Sequence, residues 1–354
     1  MITRQSFSLF CFLLITSSLS AQVTAPSQTS EVGRGSSVLE QLKQNTSFGG
    51  YVIGQVTAND QKDASKQCDM NLRLVRIYAD SRIGDFALKL QMQVNGNTSS
   101  LASPRIVDAW AEWQRFSFFR VKFGQMKRCF TFENPMHPWE IGFGTYSQFA
   151  DRLAGFNDPV GEHPSNGRDF GLQVQGDLLP AADGHSWLHY QAGVFNGQGI
   201  NQADKNSRKD LIGGLWVSPL KGLQIGAFGW TGNYVRTDGE TAERRRYSFG
   251  LNYSRDWTVR AEWGVDNAYG RADAWYTAVG TPSFYSTKVF ARWDVYRNAK
   301  SWDSAHSIYA LSLMHSLYHN LRIQLNYAFH VNKMPSNALG RHYNAIDAQL
   351  YWRF

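Results

Sequence analysis

Apolar and polar residues alternate along most of this chain. Phe86, Leu88, Leu90, Met92 and Val94 interleave with Asp85, Ala87, Lys89, Gln91, Gln93 and Asn95. The same period of two returns at 247–253, 257–265 and 321–331. It marks strands with one apolar and one polar face. A soluble sandwich would alternate in the same way. These runs, however, hold about ten to twelve residues, enough for a tilted strand to cross lipid. Trp257, Tyr327 and Phe329 lie near the strand ends, as aromatics do at a lipid–water boundary.

The pattern predicts sixteen strands, near 47–57, 69–79, 84–95, 105–115, 117–127, 168–179, 186–196, 209–218, 222–232, 244–254, 257–267, 272–280, 283–295, 305–315, 321–332 and 343–354. Every second connection is brief, as in "DSRI", "PLK" and "TP". Most of the others are longer, as in "GQGINQADKNSR" and "KMPSNALGRH". That asymmetry predicts an all-β transmembrane antiparallel barrel with short periplasmic turns and longer outer loops. "AYGR" is the shortest outer loop and the poorest fit. The last strand, with Ile346, Ala348, Leu350, Trp352 and Phe354 on one face, resembles the signal read by the barrel-assembly machinery.

The third outer loop, about 128–167, is the longest. It carries Phe130, Phe132, Trp139, Ile141, Phe143, Tyr146, Phe149, Leu153 and Phe156. Apolar content of this kind calls for burial. A loop folded into the lumen would find walls to pack on and would narrow a channel that sixteen strands leave open.

Composition adds compartment and charge. Arg4, the apolar "FSLFCFLLIT" and the small residues of "SSLSAQ" form a secretory signal over residues 1–21. A polar leader follows at 22–46, in which "SSVLEQLKQ" has room for one or two helical turns, and the barrel occupies 47–354. No later stretch has 18 consecutive apolar residues, which leaves strands as the only means of crossing. The 354-residue chain carries +7, and loss of residues 1–21 removes only Arg4 and leaves +6. The positive charge is dispersed, which disfavours nucleic acid as a partner.

A longer likeness appears in "VKFGQMKRCFTFENPMHPWEIGFGTYSQFADRLAGFNDP" followed by "SNGRDFGLQVQGDL". Its "FGQMK", "ENP", "YSQFADRLAGFND" and "GRDFGL" resemble the phosphate-selective porin O/P family in its Bacteroidetes form. The resemblance implies a sixteen-stranded outer-membrane porin, often a homotrimer, with the third loop inside the pore and phosphate among its solutes. "MKRCF" departs from the small residue or proline usual after that lysine, and no run of lysines follows.

A pore selects by width and by the charges on its wall. Strand parity turns Lys89, Arg120, Lys122, Arg246, Arg260, Lys288, Arg292, Arg322 and Arg353 inward. It also turns Asp85, Asp108, Glu112, Asp177, Glu262, Asp266, Asp294 and Asp347 inward. Most of these should pair across neighbouring strands. Arg120 and Lys122, with Lys127, Arg128, Arg152 and Arg168, could gather near the constriction and give a weak preference for small anions. Lys89, Arg260 and Arg292 complete the set of pore-lining candidates. Cys68 and Cys129 fall at the outer rim about three strand spacings apart, roughly 14 Å, so a disulfide would require the loop to bend inward. His137, Glu140 and His163 match no compact zinc spacing. Ser312 and His315 have opposite parity, which argues against a barrel lipase. The residues imply no cofactor. The alternative function is a plugged barrel used for binding or adhesion, or as an accessory of an uptake complex.

Overall fold

The computed structural model describes residues 37–62, 67–94, 104–334 and 341–354. The signal segment and most of the leader lie outside the described residues. A helix, α1 (Val38–Asn45), leads directly into the first strand.

Sixteen antiparallel strands close on themselves, each bonded to its sequence neighbours and the first to the last. They are β1 (Thr46–Asn59), β2 (Cys68–Ile83), β3 (Phe86–Gln93), β4 (Arg105–Phe116), β5 (Phe119–Lys127) and β6 (Arg168–Pro180). Next come β7 (Ser186–Phe195), β8 (Asp210–Val217), β9 (Leu223–Val235), β10 (Thr241–Ser254) and β11 (Thr258–Asp266). The ring ends with β12 (Asp273–Gly280), β13 (Thr287–Arg297), β14 (Ala305–Tyr318), β15 (Leu321–Asn332) and β16 (His342–Arg353). Closure leaves no unpaired edge, which a strand in lipid could not tolerate.

Burial is inverted relative to a water-soluble protein. On β15, Ile323, Leu325 and Tyr327 are exposed while Arg322, Gln324 and Asn326 are buried. On β10, Tyr247 and Phe249 are exposed while Arg246 and Ser248 are buried. The apolar face therefore points outward and the polar face inward, the arrangement of a membrane barrel. Among the described residues, no helix is long and apolar enough to cross a membrane.

Three details differ from the sequence expectation. β2 runs through "DSRI" to Ile83, and the turn is made by Gly84 and Asp85, with Gly84 at φ 53°. Asp80 faces Lys89 across the pair and binds it at 2.7 Å, so those polar residues belong to the wall. Asp85 is consequently a turn residue, 3.9 Å from Arg115, and is no wall charge. β13 starts at Thr287 because Tyr285 and Ser286 both take positive φ and reverse the chain. β9 and β10 extend beyond the expected belt, where Tyr234 and Ala242 bury against Val160 of the long loop.

Cys68 and Cys129 are both free. Cys68 is exposed at the start of β2, whereas Cys129 is buried, with its thiol 3.2 Å from the Ile212 carbonyl. The disulfide left open by the sequence does not form. The Cys129 thiol lies against β8 rather than β2. Burial pushes the Cys129 thiol up to about 12. In a native chain beginning at Gln22, a maleimide should label one thiol, and after denaturation without reductant it should label two. Two labels on the native protein, or none after denaturation, would contradict this arrangement.

Candidate functional site

Residues 128–167 join β5 to β6, and their hydrogen bonds reach the polar faces of strands most of the way round the ring. The segment starts at Lys127, whose Nζ donates to the carbonyls of Asn134 (2.5 Å) and Met136 (2.9 Å) and lies 3.3 Å from the Tyr146 hydroxyl. Glu262 on β11 accepts from the backbone amides of Phe132 (2.6 Å) and Glu133 (2.9 Å) and from the Tyr276 hydroxyl (2.9 Å). Glu133 accepts in turn from the amide and hydroxyl of Ser147. Ser147 caps a short helix, α2 (Gln148–Leu153), by accepting from the Ala150 amide.

The central stretch is held by its backbone oxygens. Arg322 donates to the Trp139 carbonyl (2.6 Å), and Arg260 to those of Glu140 (3.1 Å) and Ile141 (3.0 Å). Gln349 donates to the Gly144 carbonyl (3.2 Å) and Arg292 to that of Thr145 (2.9 Å). Gly144 also donates to Asn326 at 3.0 Å, and a β-carbon there would run into the Asp347 carboxylate. A larger residue there would have to displace that carboxylate.

The later stretch is held by charge. Arg128 binds Glu162 (2.7 Å) and Asp169 (3.0 Å). Arg244 binds Asp158 (3.3 Å), Glu162 (2.5 Å) and Asp210 (3.1 Å). Arg246 binds Asp158 (2.7 Å) and Asp266 (2.8 Å). All three guanidiniums lie within 5.0 Å of the Trp230 ring centre. The side chains are almost wholly shielded from solvent, yet each charge has a partner, which is the condition for tolerating it there. Burial alone would raise the Asp158 carboxyl. Arg246 and Arg244 outweigh that effect and hold it below the usual carboxylate range. Phe130 against Trp230 (5.6 Å), Phe132 against Phe228 (5.0 Å) and Phe143 against Phe290 (5.9 Å) supply apolar contact.

The structure divides the sequence-nominated cations among several places. Lys89, Lys122, Lys127, Arg128 and Arg168 line one cavity of about 510 Å³. Arg260, Arg152 and Arg292 line three others. Several are paired with acids: Arg120 with Asp177 (2.7 Å), Lys122 with Glu112 (3.5 Å), Arg168 with Asp108 (2.9 Å), Arg292 with Asp294 (2.9 Å) and Arg152 with Asp151 (3.5 Å). Arg152 is separate from the group near Arg120 and Lys122. His137 and Glu140 adjoin the first cavity, whereas His163 bonds to the Ile200 carbonyl. Burial, reinforced by Lys127 and Arg76, pushes His137 down to about 3 and leaves it neutral near pH 7. Ser312 bonds Gln324 and His315 bonds Thr287, so the two do not meet.

Sequence reasoning missed Arg76, which lines the 510 Å³ cavity with Arg353. Pairing between β1 and β2 shifts opposite Ile53 and Gly54, which leaves Arg73 as an extra residue. Such a bulge breaks strict alternation. Leu72 and Ile77, five residues apart, then both face outward. Arg76 bonds Tyr51 (3.0 Å) and Gln93 (3.2 Å). The polar face of "NLRLVRIYAD" would have shown it only with the bulge allowed for.

No family model and no curated protein matches the chain. Solved structures do. An anion-selective porin from Comamonas acidovorans is 14% identical, with a TM-score of 0.66 over 87% of this chain and 99% of that one. OmpT of Vibrio cholerae, described in a trimer form, is 12% identical, with a TM-score of 0.59 over 87% of this chain and 99% of that one. OprB of Pseudomonas putida is 12% identical, with a TM-score of 0.58 over 89% of this chain and 96% of that one. The chain thus shares its fold with outer-membrane porins.

Proposed function

We propose that this protein is an outer-membrane porin through which small polar solutes diffuse passively, with a weak preference for anions. In this reading residues 128–167 lie across the lumen and set its width. The observation that carries the anion preference is the kind of partner the cations have. Arg76 is held by a phenol and an amide, Lys127, Arg260 and Arg322 by backbone carbonyls, and Arg353 by the Trp139 ring at 4.0 Å. Among the described residues, none of these five has a carboxylate within 4 Å. A neutral acceptor fixes a cation without cancelling its charge, so the lumen keeps a positive field.

The 510 Å³ cavity supports the same reading, with seven lysines and arginines against three acids. Four of those seven, Lys89, Lys122, Arg128 and Arg168, are paired with carboxylates, so we assign no preference for phosphate over other anions. The trimer form described for OmpT supports trimeric assembly here as well.

In planar bilayers the protein should give discrete conductance steps, and a KCl gradient should give a reversal potential of the sign for chloride preference. Replacing Arg76 and Arg353 together by glutamine should move that potential toward zero. Cation preference in the unaltered protein would overturn the selectivity, and an absence of steps would favour a plugged barrel. The loop's place is tested by Arg244→Met, which leaves the buried Asp210 without its cation and takes one of two arginines from Asp158 and from Glu162, at a cost of about 3–5 kcal/mol. Trypsin should then cut within 128–167 while the barrel stays intact, and conductance should rise. A loop that stays protected, with unchanged conductance, would show that this network does not hold it.

A further inference from the structure

Below the segment Met136–Glu140, toward the short-turn end of β10 to β15, lies a second cavity of about 630 Å³. Its lining combines two kinds of chemistry. Met136, Trp139, Phe290 and Met314 bring apolar surface, and Arg260, Lys288 and Arg322 bring positive charge, with four serines beside them. Glu140 is the single acid in the lining.

Phe290 and Met314 stand at inward positions, which are polar along most of this wall. Phe290 is partly explained by the loop, since it packs on Phe143 at 5.9 Å. Met314 is opposite Lys288 across the β13–β14 pair, so a cationic and a thioether residue are neighbours in the lining. Lys288 has no carboxylate within 4 Å among the described residues. Arg260 and Arg322 use donors on loop carbonyls and keep their charge.

Trp139 closes the top of this cavity. The guanidinium carbon of Arg322 is 3.8 Å from its ring centre and that of Arg353 is 4.0 Å away. Two groups so close to one ring centre would collide on the same face, so they occupy opposite faces. Arg322 lines the 630 Å³ cavity and Arg353 the 510 Å³ cavity. The indole is therefore a partition with one arginine on each side.

We propose that the 630 Å³ cavity is a binding site for a small organic carboxylate with an apolar or aromatic body, a solute class narrower than the general anions of the channel reading on which this rests. Its volume is in the range of small-molecule sites. The carboxylate would meet Lys288 and Arg322 through charge-assisted hydrogen bonds. The body would lie on Met136, Met314 and Phe290, where thioethers favour aromatic neighbours. Inorganic phosphate would satisfy the cations but would leave the apolar side without a partner.

The test is block of chloride current through the protein in planar bilayers, with sodium benzoate and sodium phosphate as probes. Benzoate should block saturably at concentrations where phosphate does not. Lys288→Met should raise the half-blocking benzoate concentration about tenfold, the worth of one charged hydrogen bond. Met314→Asn should weaken block by benzoate but not any effect of phosphate, each variant being scaled to its own chloride current. Arg245→Ala, on the outer face, should leave the block unaltered. Equal block by the two anions, or an unchanged Lys288→Met, would overturn the site. Chloride preference without benzoate block would remove only this inference, whereas cation preference would remove the anion selectivity on which it rests.

Discussion

An arginine that donates to a carbonyl is fixed without being neutralised, and the long loop depends on that property. Arg322 and Arg260 take three consecutive carbonyls, those of Trp139, Glu140 and Ile141, and Arg292 takes that of Thr145. An extended, irregular backbone has no internal partners for those oxygens, and burying them unpaired would be costly. The wall provides the donors that a helix or sheet would otherwise supply. The same contacts fix Arg260 and Arg322 without a carboxylate within 4 Å among the described residues, whereas Arg292 is also paired with Asp294 at 2.9 Å.

Charge pairing proper is kept for the other half of the loop. Three arginines meet five acids around Trp230, with essentially no solvent. Pairs of this sort add little net stability compared with apolar packing, but they penalise any arrangement that leaves one member alone. They are thus suited to fixing where the loop sits. The aromatics of the loop supply the bulk of the contact, and the ions supply the register.

The strands were legible because a barrel in lipid needs an apolar outer face, and that need imposes period two on nearly every segment. Parity also showed which face a side chain takes, so Arg260, Arg292 and Arg322 were read as inward. It could not show what they touch. Their partners are carbonyls, which have no side-chain signature, on a loop more than a hundred residues away in sequence. Arg76 escaped for a different reason, since one bulged residue shifts the phase of β2. "DSRI" misled because three polar residues in a row look like a turn when two of them face inward in a strand. The burial of the loop's aromatics was legible from the sequence, but the place where Cys129 lodges was not.

The last two residues join two events that lie far apart in the chain. Phe354 exchanges backbone hydrogen bonds with Gly50 at 2.9 and 3.0 Å, completing the seam between β16 and β1. Arg353, its neighbour, is the guanidinium on one face of Trp139, and Tyr351 packs on that ring at 5.8 Å. The loop is synthesised long before these residues exist. Its central stretch therefore has no seat until the C-terminal strands arrive, and the ring and its interior become complete in one late, long-range step. Such non-local closure makes for slow folding. It also means that a barrel lacking its last strand lacks the contacts that hold Trp139.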